Sequence, residues 1–203
     1  MDFQHVNVKL SIKDAGELDL DALIRVFHGW IQNQARGELL LDVADYRHVS
    51  SGPGVVLIGH LSNYSLDNTG GRWGVRYNRK AVLEGGNQDR LVQATRAALA
   101  ACHRLEAEPS LKRTIQFNGN EITIFVNDRL LVPNAAESCR ATDLGFRAFF
   151  SLLFGDTEYE LSYPQDAREL FSVQVRTSQV FDTPTLLNNL MSMTAQTLPA
   201  GML

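Results

Sequence analysis

The stretch Tyr64-Ser65-Leu66-Asp67-Asn68-Thr69-Gly70-Gly71-Arg72-Trp73-Gly74-Val75-Arg76-Tyr77 decides how this chain folds. Adjacent glycines suit the two central residues of a tight hairpin turn, where the backbone adopts positive φ. Folding about Gly70-Gly71 sets Thr69 opposite Arg72, Asn68 opposite Trp73, Leu66 opposite Val75 and Tyr64 opposite Tyr77. Side chains alternate along a strand. One face therefore carries Tyr64, Leu66, Trp73, Val75 and Tyr77, an aromatic cross-strand pair included. The other carries Ser65, Asp67, Arg72 and Arg76, with Asp67 diagonally between the arginines. One dry face and one charged face follow from a single register.

Working outward, residues 5–12 alternate Val6, Val8, Leu10 and Ile12 with polar neighbours, the period of an amphipathic strand. Residues 19–34 place Leu20, Leu23, Ile24, Phe27, Trp30 and Ile31 at helical spacing, with Gly37 just beyond as a stop. Residues 39–46 and 55–60 are short apolar runs bounded by Gly and Pro, as in buried strands. A long helix is expected over 89–106, striped by Leu91, Thr95, Ala98, Cys102 and Leu105. Asn118-Gly119 carries the type I′ turn signature and predicts a second hairpin, Ile115 opposite Ile122 and Thr114 opposite Thr123. Residues 143–154 predict a helix apolar on most of its surface, and residues 159–163 and 171–175 a last strand pair. Thr183-Pro184, a capping residue followed by proline, opens a short amphipathic helix with Leu187, Leu190 and Met191.

Hairpins outnumber strand–helix–strand crossovers, so the expected class is α+β. The expected architecture is a mostly antiparallel sheet of several hairpins packed on three main helices, plus a short C-terminal helix. Residues 1–180 form the expected single domain and 181–203 a helical tail. A helix followed by a strand pair occurs three times, but the segments are dissimilar, and no repeat is read from them.

Composition narrows the function classes. Of 203 residues, 44% are apolar and 21% charged, which excludes a disordered chain. A net charge of -4 is a poor match to a non-specific nucleic-acid binder, which neutralises phosphates with excess cations. The polar start Met1-Asp2-Phe3-Gln4-His5 lacks the basic and apolar regions of a signal peptide. The longest apolar run, residues 146–154, falls well short of the ~20 residues of a membrane span. Cys102 and Cys139 form no metal-ligand spacing. The expectations are a cytoplasmic protein, no cofactor, and no nucleic-acid or membrane partner.

Chemistry-bearing residues crowd between Leu39 and Tyr77. Asp42, Asp45 and His48 recur every three residues, yet strand alternation sends Asp42 and Asp45 to opposite faces, and no metal site is expected. Asp42 interrupts an apolar strand, and a buried carboxylate must be paired or neutralised. His60 followed by Asp67 could make an acid–base pair, a His oriented by an Asp. His60, Asp67 and Asp42 are thus the candidate catalytic residues. Arg72 and Arg76 are candidate anion-holding residues, joined by Tyr46, His48, Ser51 and Gly52 around a Gly/Pro turn whose backbone N–H groups could face an anion. No nucleophile motif accompanies them.

The leading expectation is a non-catalytic binding or assembly module. The apolar helix at 146–154 and the Met-containing final helix need cover and favour a homodimer. The alternative is an enzyme acting on a small anionic substrate.

Overall fold

The computed structural model describes residues 1–34, 38–111 and 115–196, the side chains of 193–196 excepted. It is an α+β fold. Among the described residues, eight strands run β1 (Val6–Ile12), β2 (Leu40–Tyr46), β3 (Gly54–Gly59), β4 (Ser62–Asp67), β5 (Gly74–Arg79), β6 (Phe117–Val126), β7 (Tyr159–Ser162) and β8 (Phe171–Thr177). Four helices join them: α1 (Leu20–Asn33), α2 (Asn87–Glu106), α3 (Ala136–Phe154) and α4 (Thr183–Gln196). The strands form one antiparallel sheet in the order β2-β3-β4-β5-β1-β6-β8-β7.

The hairpin forms in the expected register, Leu66 opposite Val75 and Tyr64 opposite Tyr77, but the ladder ends at Asp67–Gly74, and a 3-10 turn over Thr69–Gly71 replaces the expected two-residue turn with its Thr69–Arg72 and Asn68–Trp73 pairs. Both glycines take positive φ, 77° and 73°, which an L side chain would resist. The tyrosine rings meet edge-on at 5.2 Å.

Alternation then sorts the central strands. Val6, Val8 and Leu10 of β1 lie level with Val126, Ile124 and Ile122 of β6, all sealed in the core beneath the helices. Asn7, Lys9 and Ser11 face the opposite, polar side and are nevertheless buried. Capping defines the helix ends. Asp19 accepts from the Ala22 N–H at the start of α1, and Asp89 accepts from the Gly86 N–H at the start of α2.

The order of elements is palindromic about β1 and β6. Units β1-α1-β4-β5-α2 and β6-α3-β7-β8-α4 share one topology, and the sheet reads β4-β5-β1 and then β6-β8-β7. The first unit carries an added hairpin, β2-β3, on its outer edge. This is a structural duplication that dissimilar sequences conceal.

Several expectations are corrected. No hairpin turns at Asn118-Gly119; residues 117–126 are one continuous strand, and Thr114 lies outside the described residues. Gly119 serves close packing instead, because a Cβ there would overlap the Phe181 carbonyl oxygen. α3 starts at Ala136, before the apolar run, with the Thr142 hydroxyl bonded to the Ser138 carbonyl at 2.8 Å. It is not apolar all round either. Phe146, Phe149, Phe150, Leu153 and Phe154 form one buried stripe, whereas Arg147 and Ala148 face outward with Leu144 and Leu152. α1 closes on Gln34 in the left-handed conformation, and Gly37 lies outside the described residues. Asp182 rather than Thr183 caps α4, accepting from the Thr185 N–H at 2.9 Å, since the buried Thr183 hydroxyl donates to Glu106 at 2.7 Å. α4 packs on α2 and α3, with Leu186 and Leu190 in the core; residues 197–203 lie outside the described residues.

Two glycines give opposite expectations in urea unfolding. Gly119→Ala forces overlap with a carbonyl and should cost about 1–3 kcal/mol. Gly29→Ala, inside α1 with open space where its Cβ would stand, should add up to about 1 kcal/mol.

Candidate functional site

On the polar side of the sheet the hairpin's acid and bases are bound up with one another. Asp67 receives Lys9 Nζ at 2.6 Å and the Thr69 hydroxyl at 2.9 Å, and Arg76 lies 3.9 Å away. Arg76 is stacked on the Phe125 ring at 4.3 Å. Arg72 grips Glu121 at 2.5 and 3.2 Å, with Arg176 on the same carboxylate at 3.4 Å. Burial lowers the Lys9 pKa, partly offset by its bond to Asp67. Burial likewise lowers that of Arg76. Asp67 thus lies beside Arg76 as the hairpin register requires, while Arg72 swings to a strand the hairpin alone does not reveal.

His60 and Asp67 are not brought together. His60 is exposed in the β3–β4 turn, and Asp67 ends β4, roughly 20 Å further along at the usual strand rise. Asp42 is not buried. β2 is an edge strand, and the exposed Asp42 carboxylate accepts its neighbour's Val43 N–H at 2.8 Å. Asp45 is taken by Arg47, whose bond holds its carboxyl below the usual range. Tyr46 and His48 are exposed with rings 6.4 Å apart. In the Ser51–Gly52 turn the Gly52 N–H donates to the Val49 carbonyl and the Val49 N–H to the Tyr46 carbonyl. Tyr46, His48, Ser51 and Gly52 lie at the Asp67 end of the sheet, tied there by the Asn68 N–H on the Gly52 carbonyl at 3.1 Å. Cys102 is a core residue whose thiol burial pushes well above its ordinary value.

A different constellation lies on the helix side. Trp30 of α1, Ala97, Ala100, Ala101 and Arg104 of α2, Leu40 and Leu57 of β2 and β3, Tyr64 of β4 and Glu38 enclose a cleft of about 420 Å³. The alanines and Arg104 occupy i, i+3, i+4 and i+7, a single helix face, and their small side chains leave the space. Arg104 lies over the Trp30 ring at 4.0 Å, and its guanidinium has no ion pair among the described residues. Burial pulls its pKa below the ordinary arginine value, against the opposing charge of Glu108. Glu38 accepts from the Leu61 N–H at 3.1 Å, the Ser62 hydroxyl at 2.6 and 2.7 Å and the Tyr64 hydroxyl at 3.3 Å. No cation pairs with it among the described residues. Burial first, and then the charge of Glu38, raises the Tyr64 pKa. The Trp30 indole nitrogen is buried without an acceptor.

The second unit packs aromatic rings between helix and sheet. There Phe150, Phe154, Tyr159 and Phe181 pack ring on ring at 5.3–6.1 Å between α3, β7 and the start of α4. The sequence marks Trp30 only as part of the apolar stripe of α1 and gives Glu38 and Arg104 no signal as site residues. The available signal was the alanine cluster at 97–101, small residues where a packed helix uses large ones.

Among the described residues, no helix is long and apolar enough to cross a membrane, and no three His, Cys, Asp or Glu side chains converge as for a metal. Two measurements probe these contacts. Lys9→Met removes the nearest cation from buried Asp67, leaving it Arg76 at 3.9 Å, and should cost up to about 3–5 kcal/mol, whereas Arg72→Met, from a half-exposed pair, should cost under about 1 kcal/mol in urea unfolding. The folded Tyr64 phenol stays neutral while the unfolded one ionises near its ordinary 10.0, so its stabilisation is present below that pH and lost above it. Lys9, with its lowered pKa, acts in the opposite sense as pH rises towards 10.5. The readout is therefore a difference: stability should fall less steeply above about pH 10 in Tyr64→Phe than in the wild type.

A scan of the chain against protein-family models finds no matching family, and a search of the curated proteins finds no matching relative.

Proposed function

We propose that this protein is a non-catalytic binding module whose ligand site is the cleft between α1, α2 and the β2–β4 edge of the sheet. One observation carries this reading. The alanine face of α2 leaves a cleft of about 420 Å³ against α1 and the sheet, and that cleft is lined by two opposite charges, Glu38 and Arg104, with no ion pair among the described residues. Open space and unpaired charge both cost stability, so a cleft that keeps both is a feature to explain by occupancy. The cleft also has the composition of a small-molecule site, apolar walls with a few placed polar groups.

The enzyme reading has less support, because His60 and Asp67 stand apart and Arg72 and Arg76 are engaged with Glu121 and Phe125. Self-association loses part of its motive, since α3 buries its aromatic stripe and α4 docks on its own chain.

The test is a thermal-shift screen of small organic acids, amines and zwitterions on the wild type and on Ala100→Trp, which fills the cleft from an exposed position. At least one compound class should raise the wild-type Tm with concentration, by the equivalent of ~2.7 kcal/mol at a hundredfold excess over Kd, and leave Ala100→Trp unmoved. Shifts equal in both proteins, or none in the wild type, overturn the reading.

A further inference from the structure

We infer that the cleft selects a zwitterion, a small molecule with a protonated amine at one end, a carboxylate at the other and an apolar body between. This rests on the reading of the cleft as the ligand site. Glu38 and Arg104 line the same space, bear opposite charges and make no ion pair with each other. Each is partly withdrawn from water. Three neutral donors, the Leu61 N–H and the hydroxyls of Ser62 and Tyr64, orient the Glu38 carboxylate without neutralising it. A carboxylate offers about four acceptor positions, so one ammonium donor can still be received. Arg104 is seated over the Trp30 ring at 4.0 Å and has no ion pair among the described residues, so its N–H groups can take a carboxylate in the paired geometry this group favours.

Charge bookkeeping excludes the simpler ligands. A plain anion satisfies Arg104 but brings negative charge towards Glu38, and a plain cation does the reverse. A neutral apolar molecule dehydrates both charges and pairs neither, the costly outcome for buried ions. A zwitterion answers both at once, and its body lies on Leu40, Leu57 and the alanine face of α2. Free amino acids, short peptides and ω-amino acids share this chemistry and differ in the separation of their charges.

Calorimetric titration separates the possibilities, with L-phenylalanine, L-leucyl-L-leucine and 6-aminohexanoate as probes, each also N-acetylated and each also as its amide. At least one zwitterion should bind, and each cap should weaken it by at least about tenfold, the scale of one charge-assisted hydrogen bond. Glu38→Gln should erase the penalty of acetylation while keeping that of amidation, and Arg104→Gln the converse. Because these are ratios measured on one folded protein, a general loss of stability does not imitate them. Capped probes that bind as well as the zwitterions overturn the inference, as does failure of all three zwitterions to bind. If an apolar acid or amine still binds the wild type and not Ala100→Trp, the cleft reading survives and the zwitterion class alone is lost. If nothing binds that Ala100→Trp excludes, both fall.

Discussion

The pairing of β4 with β5 is the constraint on which the rest of this molecule depends. Its register places Tyr64, Leu66, Val75 and Tyr77 on the helix side and Ser65, Asp67 and Arg76 on the other. A slip of one residue would exchange those sets, pushing an ion pair into the hydrocarbon core and two tyrosines out of it. Gly70 and Gly71, both at positive φ, hold the turn that forbids the slip. The same register brings Tyr64 to the cleft beside Glu38 and Asp67 to Lys9 of the central strand. Site and scaffold therefore share one set of backbone hydrogen bonds.

Around that pairing the chain builds two units of equal topology. In the second, aromatic side chains from α3 meet Tyr159 and Phe181 and close the space between helix and sheet. In the first, α2 presents Ala97, Ala100 and Ala101 where large residues would close it, and the added β2-β3 hairpin extends the floor through Leu40 and Leu57. The polar side of the sheet is of another kind. Its long side chains are committed to each other, Lys9 to Asp67 and Arg72 to Glu121, so its charges are internal cross-ties between strands. Glu38 and Arg104, without ion pairs among the described residues, make the helix-side cleft the chemically open part of the structure.

Periodicity was legible wherever neighbours in sequence are neighbours in space. The alternation of Val6, Val8, Leu10 and Ile12, the stripe from Leu20 to Ile31 and the glycine pair at 70–71 each describe contacts within one element or one tight turn. Asn118-Gly119 misled for an instructive reason. Its local turn preference is worth little against the ladder bonds of a ten-residue strand, and the glycine is needed for the approach of the Phe181 carbonyl from 62 residues away. Asp42 misled similarly, because an apolar strand reads alike whether it lies at the centre of a sheet or, as here, at its edge.

The sequence by itself determined the α+β class, the antiparallel bias, the register of the central hairpin and the burial of one face of each amphipathic element. These follow from side-chain periods of 2 and 3.6 and from turn chemistry, which act over a few residues. The tertiary structure alone decided the strand order, the duplication of the unit, the separation of His60 from Asp67 and the meeting of Trp30, Glu38, Tyr64 and Arg104 in one cleft. Those four residues span 75 positions of chain and share no spacing. Only the packing of α1 and α2 on the edge of the sheet brings them together, because the large apolar side chains around them have to leave water in a single core.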